Sequence, residues 1–285
     1  MPCSQARNLD LLEQCTAPND LTIPSWVPDW TNVHHYRLFS GRGCYNAAPD
    51  KSAAIALSPA GTELIVEGIM LGDVDGLGAS YYEHVRASSG GDAMVQTTQS
   101  NNPYGDTEGL RRAVWQTLTG NRTPNGRIAP ESYQSLLQCP LAFASDCDGC
   151  SSRSAPWRGR KAFSHLLSQN QGLMVAGRAL GTFFPVIGES DPEVSRDALE
   201  KIFRFHRSRR LAVTSQGLLG LVPIAARRGD RVFLLSGCRV PVLVRAAEEG
   251  KYQVIGCCYL QGYMEGEAQR GVQDGTLRFE SVILR

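Results

Sequence analysis

The chain has 285 residues, enough for one large domain or two ordinary ones around a sizeable core. Apolar residues make up 42% of it and charged residues 20%, which excludes a disordered chain; 29 basic against 28 acidic side chains leave a net charge of +1. A chain so balanced has no overall field to steer it onto nucleic acid or an anionic membrane, and neither is expected as a partner. The amino terminus, MPCSQARNLDLLEQC, lacks the apolar run of a secretory signal, and apolar stretches such as Leu64 to Leu71 are too short to span a bilayer. Nine cysteines in such a chain read as buried thiols in a reducing compartment, and the expectation is a soluble cytoplasmic protein.

Taken in chain order, residues 1–50 are turn-rich, with Pro2, Pro18, Pro24, Pro28 and Pro49 and one short helical pattern from Leu9 to Gln14. Ala54 to Leu57 and Leu64 to Met70 flank the turn Ser58-Pro59-Ala60-Gly61-Thr62 and read as a hairpin. Ala87 to Thr107 is polar and reads as a surface loop. Three helical patterns follow, Thr107 to Thr119, Pro130 to Phe143 and Arg160 to Gln169, with Leu110, Val114 and Leu118 on one face of the first. Residues 177–188 read as a loop and short strand. A fourth helix is signalled by Ser190 as N-cap, Pro192 and Glu193 in its first turn, and Val194, Leu199, Ile202 and Phe203 on one face.

From Arg210 onward short strands dominate. Leu211 to Thr214 and Leu218 to Val222 flank Ser215-Gln216-Gly217; Arg231 to Leu235 and Val240 to Arg245 flank a second turn; Tyr252 to Leu260 follows. Five strands at such spacing predict a small barrel or curled sheet. The fold expected is therefore α+β: a helical part on a hairpin-rich antiparallel sheet (1–208), with a small carboxy-terminal β-barrel-like unit (209–285), integrated as one domain.

Motifs for nucleotides and hydrolysis are missing. No Walker A pattern, no GxGxxG opening a helix after a strand, no GxSxG and no HExxH occurs, so no cofactor is expected. Cys147-Asp148-Gly149-Cys150, with Cys139 upstream, has metal-like spacing, but structural zinc needs four soft ligands. Cys257 and Cys258 are adjacent on a strand and point to opposite faces, so free thiols are the favoured reading and no metal is expected. His34-His35-Tyr36-Arg37 and Tyr81-Tyr82-Glu83-His84-Val85-Arg86 hold side chains able to move protons or orient a substrate. The basic run Arg204 to Arg210 ends a helix, where cations offset the C-terminal dipole, and is read as structural rather than phosphate-binding.

Several segments carry a resemblance. Ile23-Pro24-Ser25-Trp26-Val27-Pro28-Asp29-Trp30, the helix segment Val114-Trp115-Gln116-Thr117-Leu118 and the stretch from Arg209 to Gln269 resemble the region that follows the effector domain in fungal heterokaryon-incompatibility proteins. The resemblance implies that this chain begins after that TIR-like effector domain, so the family's usual cell-death route is not expected of it. Trp26 and Trp30 between prolines suggest an aromatic clamp closing the fold. Gly217, Gly220, Gly229 and Gly237 are read as turn glycines. The segment Gly262 to Glu267 either packs on that clamp or lines a pocket with Tyr263 and Glu265.

Two functions are consistent with these features. In one, the chain binds a small apolar molecule, a terpenoid or polyketide, and directs a cofactor-independent cyclisation or isomerisation in fungal specialised metabolism. His34, Tyr82, His84, Arg86 and Tyr263 are then its candidate catalytic residues. In the other it is a protein-interaction module of self/non-self recognition, with homo-oligomerisation possible.

Overall fold

The computed structural model describes residues 9–15, 23–31, 44–48, 55–80, 94–141, 155–186, 194–206 and 208–285. Strands run in chain order as β1 (Ile55–Leu57), β2 (Leu64–Leu77), β3 (Met174–Val175), β4 (Arg178–Ala179), β5 (Arg209–Thr214), β6 (Leu219–Pro223), β7 (Arg231–Leu235), β8 (Val242–Ala246), β9 (Tyr252–Cys257), β10 (Tyr259–Leu260) and β11 (Phe279–Leu284). The α-helices are α1 (Thr107–Thr119), α2 (Ala155–Asn170), α3 (Arg196–His206) and α4 (Ala268–Gln273). The fold is α+β, as the sequence patterns imply.

The chain divides into two compact units, Met1–Val74 with Ala225–Arg285, and Asp75–Ile224. In this division β5 and β6 group with the helices, and β2 supplies most of its length to the unit that holds the carboxy terminus. Long-range strand pairing is the reason.

In the first unit the pairings close a ring. β2 pairs with β7, β7 with β8, β8 with β9, β9 with β11, and β11 returns to β2. All are antiparallel except β9–β11, which meet only at Leu284 and Tyr252. The result is a five-stranded barrel in which β7, β8 and β9 are strands predicted from the sequence, β2 comes from the amino-terminal third, and β11, at the end of the chain, is not among the predicted strands. Closing so few strands demands strong curvature. Register shifts in β2 between Met70 and Gly72, and in the β8–β9 pair beside Gly256, supply it; both glycines sit at positive φ, 134° and 143°. Inside lie Leu64, Val66, Phe233, Leu235, Val242, Val244, Val254, Val282 and Leu284. The expected amino-terminal helical turn is a 3-10 helix, Asp10–Gln14, and Leu9, Leu12 and Cys15 join the same core. β1 pairs with β2 in the expected hairpin, Leu57 opposite Leu64.

In the second unit β5 and β6 form the predicted hairpin, with Gly217 at φ 83° in its turn. Every residue of both strands is buried, which explains their continuous apolar runs. α1 spans the predicted residues; Asp106 caps it by accepting the Gly109 N–H at 2.7 Å, and Gly120 ends it in the left-handed region. α2 packs along α3, and α1 contacts both α3 and β6. Residues 131–138 form a 3-10 helix rather than the α-helix expected over 130–143. α3 begins at Arg196, with the Ser195 hydroxyl accepting from Ala198 N–H at 3.4 Å; Ser190, Pro192 and Glu193 lie outside the described residues. Gly220 is an interior strand residue of β6, not a turn glycine as expected.

Candidate functional site

The β9–β11 contact is the thinnest seam of the barrel, and the segment Ile23–Trp26 lies along it. Ser25 N–H donates to the Arg285 carbonyl at 3.0 Å and its hydroxyl donates to the same oxygen. That hydroxyl also accepts the Val254 N–H of β9 at 2.9 Å. One serine thus does the work of a missing rung between the two strands. Trp26 packs against the barrel core and donates its indole N–H to the Thr62 carbonyl at 3.4 Å. Half of the expected aromatic clamp is therefore present. Trp30 is not part of it: its side chain is 63% exposed, because the turn at Asp29–Thr31, where Asp29 accepts from Thr31 N–H at 2.9 Å, carries it outward.

Along this seam runs a groove of about 830 Å³. Ser25, Glu63, Glu248, Lys251, Gln253 and Arg285 line it, with Ile23 and Pro24 at one wall. Lys251 Nζ lies 3.1 Å from Glu63 Oε1, a half-buried ion pair in the groove wall, and Glu248 is exposed. The groove is an open face that alternates acidic and basic groups, suited to the polar rim of a macromolecular contact more than to a dry apolar ligand.

Of the candidate catalytic residues, only Tyr263 falls within the described residues; His34, Tyr82, His84 and Arg86 lie outside them. Tyr263 is half-buried, and burial followed by the Glu267 carboxylate pushes its phenol above the ordinary value of 10.0. It is a neutral hydrogen-bond donor at physiological pH. Its neighbour Met264 is buried, its carbonyl accepting Asn46 N–H at 3.0 Å and its sulfur accepting Leu260 N–H at 3.4 Å. The segment is thus anchored on residues 44–48.

The basic run has a structural use, by a route its composition does not reveal. Arg210 is fully buried and its Nε donates to the Gly78 carbonyl at 2.7 Å; Arg209 and His206 are buried as well, and Arg204 pairs with Glu200 one turn earlier. The cysteines among the described residues, Cys15, Cys44, Cys139, Cys238, Cys257 and Cys258, are all buried. Cys257 and Cys258 point apart, toward the Glu13 and Pro241 carbonyls. Burial, then the nearby Cys257, pushes the Cys15 thiol up to about 12, which makes it unreactive. Among the described residues no group of three or more His, Cys, Asp or Glu side chains could hold a metal ion; Cys147 and Cys150 lie outside them. Among the same residues no helix is long and apolar enough to cross a membrane.

Sequence reasoning missed a buried polar cluster in the second unit. Ala79 N–H donates to Asn170 Oδ1 at 2.7 Å, while Asn170 Nδ2 donates to the Leu166 carbonyl at 2.9 Å. Ser80 and His206 lie beside them in a cavity wall. Burial pushes the His206 imidazole down to about 3. No spacing signal could have found this group, because it joins the end of β2, the end of α2 and the end of α3.

Fold and groove together define an α+β protein built in part around a small closed barrel with a charged seam. Residues 191–274 match the family model of the Het-6 beta-barrel domain, and over this segment the chain is similar to the heterokaryon-incompatibility proteins that its sequence resembles. The matched segment contains β7, β8 and β9 of the ring, while β2 and β11 lie outside it. No curated protein and no solved structure matches the chain.

Proposed function

We propose that the chain is a recognition module of the heterokaryon-incompatibility type, and that it binds a heterokaryon-incompatibility protein across the charged groove at the barrel seam. The observation that carries this reading is the groove itself: open, about 830 Å³, and lined by Glu63, Glu248, Lys251 and Arg285. Mixed charges on such a rim discriminate between closely similar partners, because a like charge opposite any of them costs far more than a matched one returns. Self/non-self recognition is a discrimination of this kind. The test is a fungal fusion assay with Glu248→Lys and Lys251→Glu variants whose folding is verified by circular dichroism. Groove reversals that change the viability of the fused cells support the reading. Folded variants indistinguishable from the wild type refute it.

A second reading keeps the small-molecule role, in which a terpenoid or polyketide is held for cofactor-independent cyclisation or isomerisation. Tyr263 favours it, since a half-buried phenol held in its neutral form can donate to a developing charge on a substrate oxygen. Native mass spectrometry beside a thermal-shift screen of lipophilic terpenoids and polyketides separates the two. A retained organic ligand whose affinity falls in Tyr263→Phe supports this second role, and a monomer with no ligand and no shift counts against it.

A further inference from the structure

The buried cluster of the second unit is independent of the groove. Its cavity measures about 10 Å³ and is walled by Ala79, Ser80, His165, Leu166, Asn170 and His206, with the exposed Gln169 at its mouth. Two of the wall atoms, Ser80 Oγ and His206 Nε2, are buried and have no hydrogen-bond partner among the described residues. Both residues are deeply enclosed, at 1% and 3% exposure. The Asn170 amide, which accepts from Ala79 N–H and donates to the Leu166 carbonyl, is a partner of neither.

Buried polar atoms in native proteins are paired, and unpaired ones call for a specific explanation. A volume on the order of 10–15 Å³ with at least two polar partners is what a single water requires. We infer that this cavity is a binding site for one structural water, bridging the Ser80 hydroxyl and His206 Nε2. Water suits both ends. It accepts from or donates to a hydroxyl, and it can do either toward an imidazole nitrogen, depending on which nitrogen carries the proton. The bridge ties the residues that follow β2 to the last turn of α3, next to the asparagine that already holds Ala79 against α2. Of the residues that line the cavity, Gln169 is exposed and His165 half-buried, so the cavity lies near the surface.

A high-resolution crystal structure of the full chain is the first test. The expected result is a water within about 3.2 Å of both Ser80 Oγ and His206 Nε2. An empty cavity, or a direct Ser80–His206 hydrogen bond, overturns the inference. In solution, oxygen-17 relaxation dispersion counts long-lived waters. Ser80→Ala, which removes one anchor and little volume, should lower that count by one relative to the wild type. An unchanged count in a folded Ser80→Ala protein overturns the assignment as well.

Discussion

Acidification should destabilise this protein through His206, whose burial disfavours the charged imidazole. The imidazole sits at 3% exposure, and burial holds its folded pKa at about 3 against an ordinary 6.5. The folded value lies below the unfolded one, so below pH 6.5 the unfolded chain binds a proton that the folded chain refuses. The stability contributed by the neutral histidine is therefore fully present above pH 6.5 and is lost as pH falls from 6.5 toward 3. Each unit in that window removes on the order of 1 kcal/mol, so moving from about pH 7.5 to about pH 4.5 removes roughly 2–3 kcal/mol. Against a typical stability of about 5–15 kcal/mol this is a large share.

Urea unfolding followed by circular dichroism, repeated across that pH range for the wild type and for His206→Gln, measures it. Carboxylates and the remaining histidines titrate in both proteins, so the difference between the two slopes isolates position 206. The glutamine variant should start less stable at neutral pH and lose roughly 2–3 kcal/mol less on acidification. Parallel pH profiles for the two proteins would falsify the claim that the buried imidazole is neutral.

Other perturbations probe the frame around the two candidate sites. Asp230 is buried and accepts from Arg245 Nε and Nη2 at 2.8 Å each and from Arg227 N–H at 2.7 Å; Asp230→Ala strands the guanidinium and should cost about 3–5 kcal/mol in chemical denaturation. Ser25→Ala should cost about 1–2 kcal/mol and speed hydrogen exchange at the Val254 amide before that of other β9 amides. A β-carbon on Gly159 would come within 2.8 Å of the Leu199 carbonyl oxygen. Gly159→Ala should therefore lower the melting temperature, the overpacking of about 1–3 kcal/mol exceeding a helix-propensity gain of about 1 kcal/mol. Trp26→Ala should cost on the order of 3 kcal/mol while Trp30→Ala stays within about 0.5 kcal/mol, a contrast read directly from paired thermal melts.

What the sequence reveals and what it hides divide along chain distance. α1 is legible from Thr107 to Thr119 because its cap, its apolar face and its terminal glycine are all local. The same holds for the β5–β6 and β7–β8 hairpins, whose turns lie between their strands. The ring is not legible, since β2 meets β11 across more than two hundred residues of chain, with Leu64 opposite Leu284, and no local pattern encodes that pairing. Composition suggests a barrel in the last third but cannot say which strands close it.

The same distinction separates motif from role. The segment Ile23 to Trp30 is conspicuous in sequence for its tryptophans, yet its essential contact is made by Ser25, whose hydroxyl bridges two strands that hardly pair. Arg210 stands out in sequence as one charge in a basic run, yet its guanidinium is buried on the Gly78 carbonyl, 132 residues away. In both cases the side chain answers a backbone group left without a strand or helix partner, and such groups exist only once the distant parts of the chain have met. Charge at the seam follows from the same cause. A barrel closed by a serine instead of a full ladder keeps its rim open between β9 and β11, and that opening places Glu63, Lys251 and Arg285 around one groove. The feature that weakens the ring is thus the one that gives the proposed recognition surface its position.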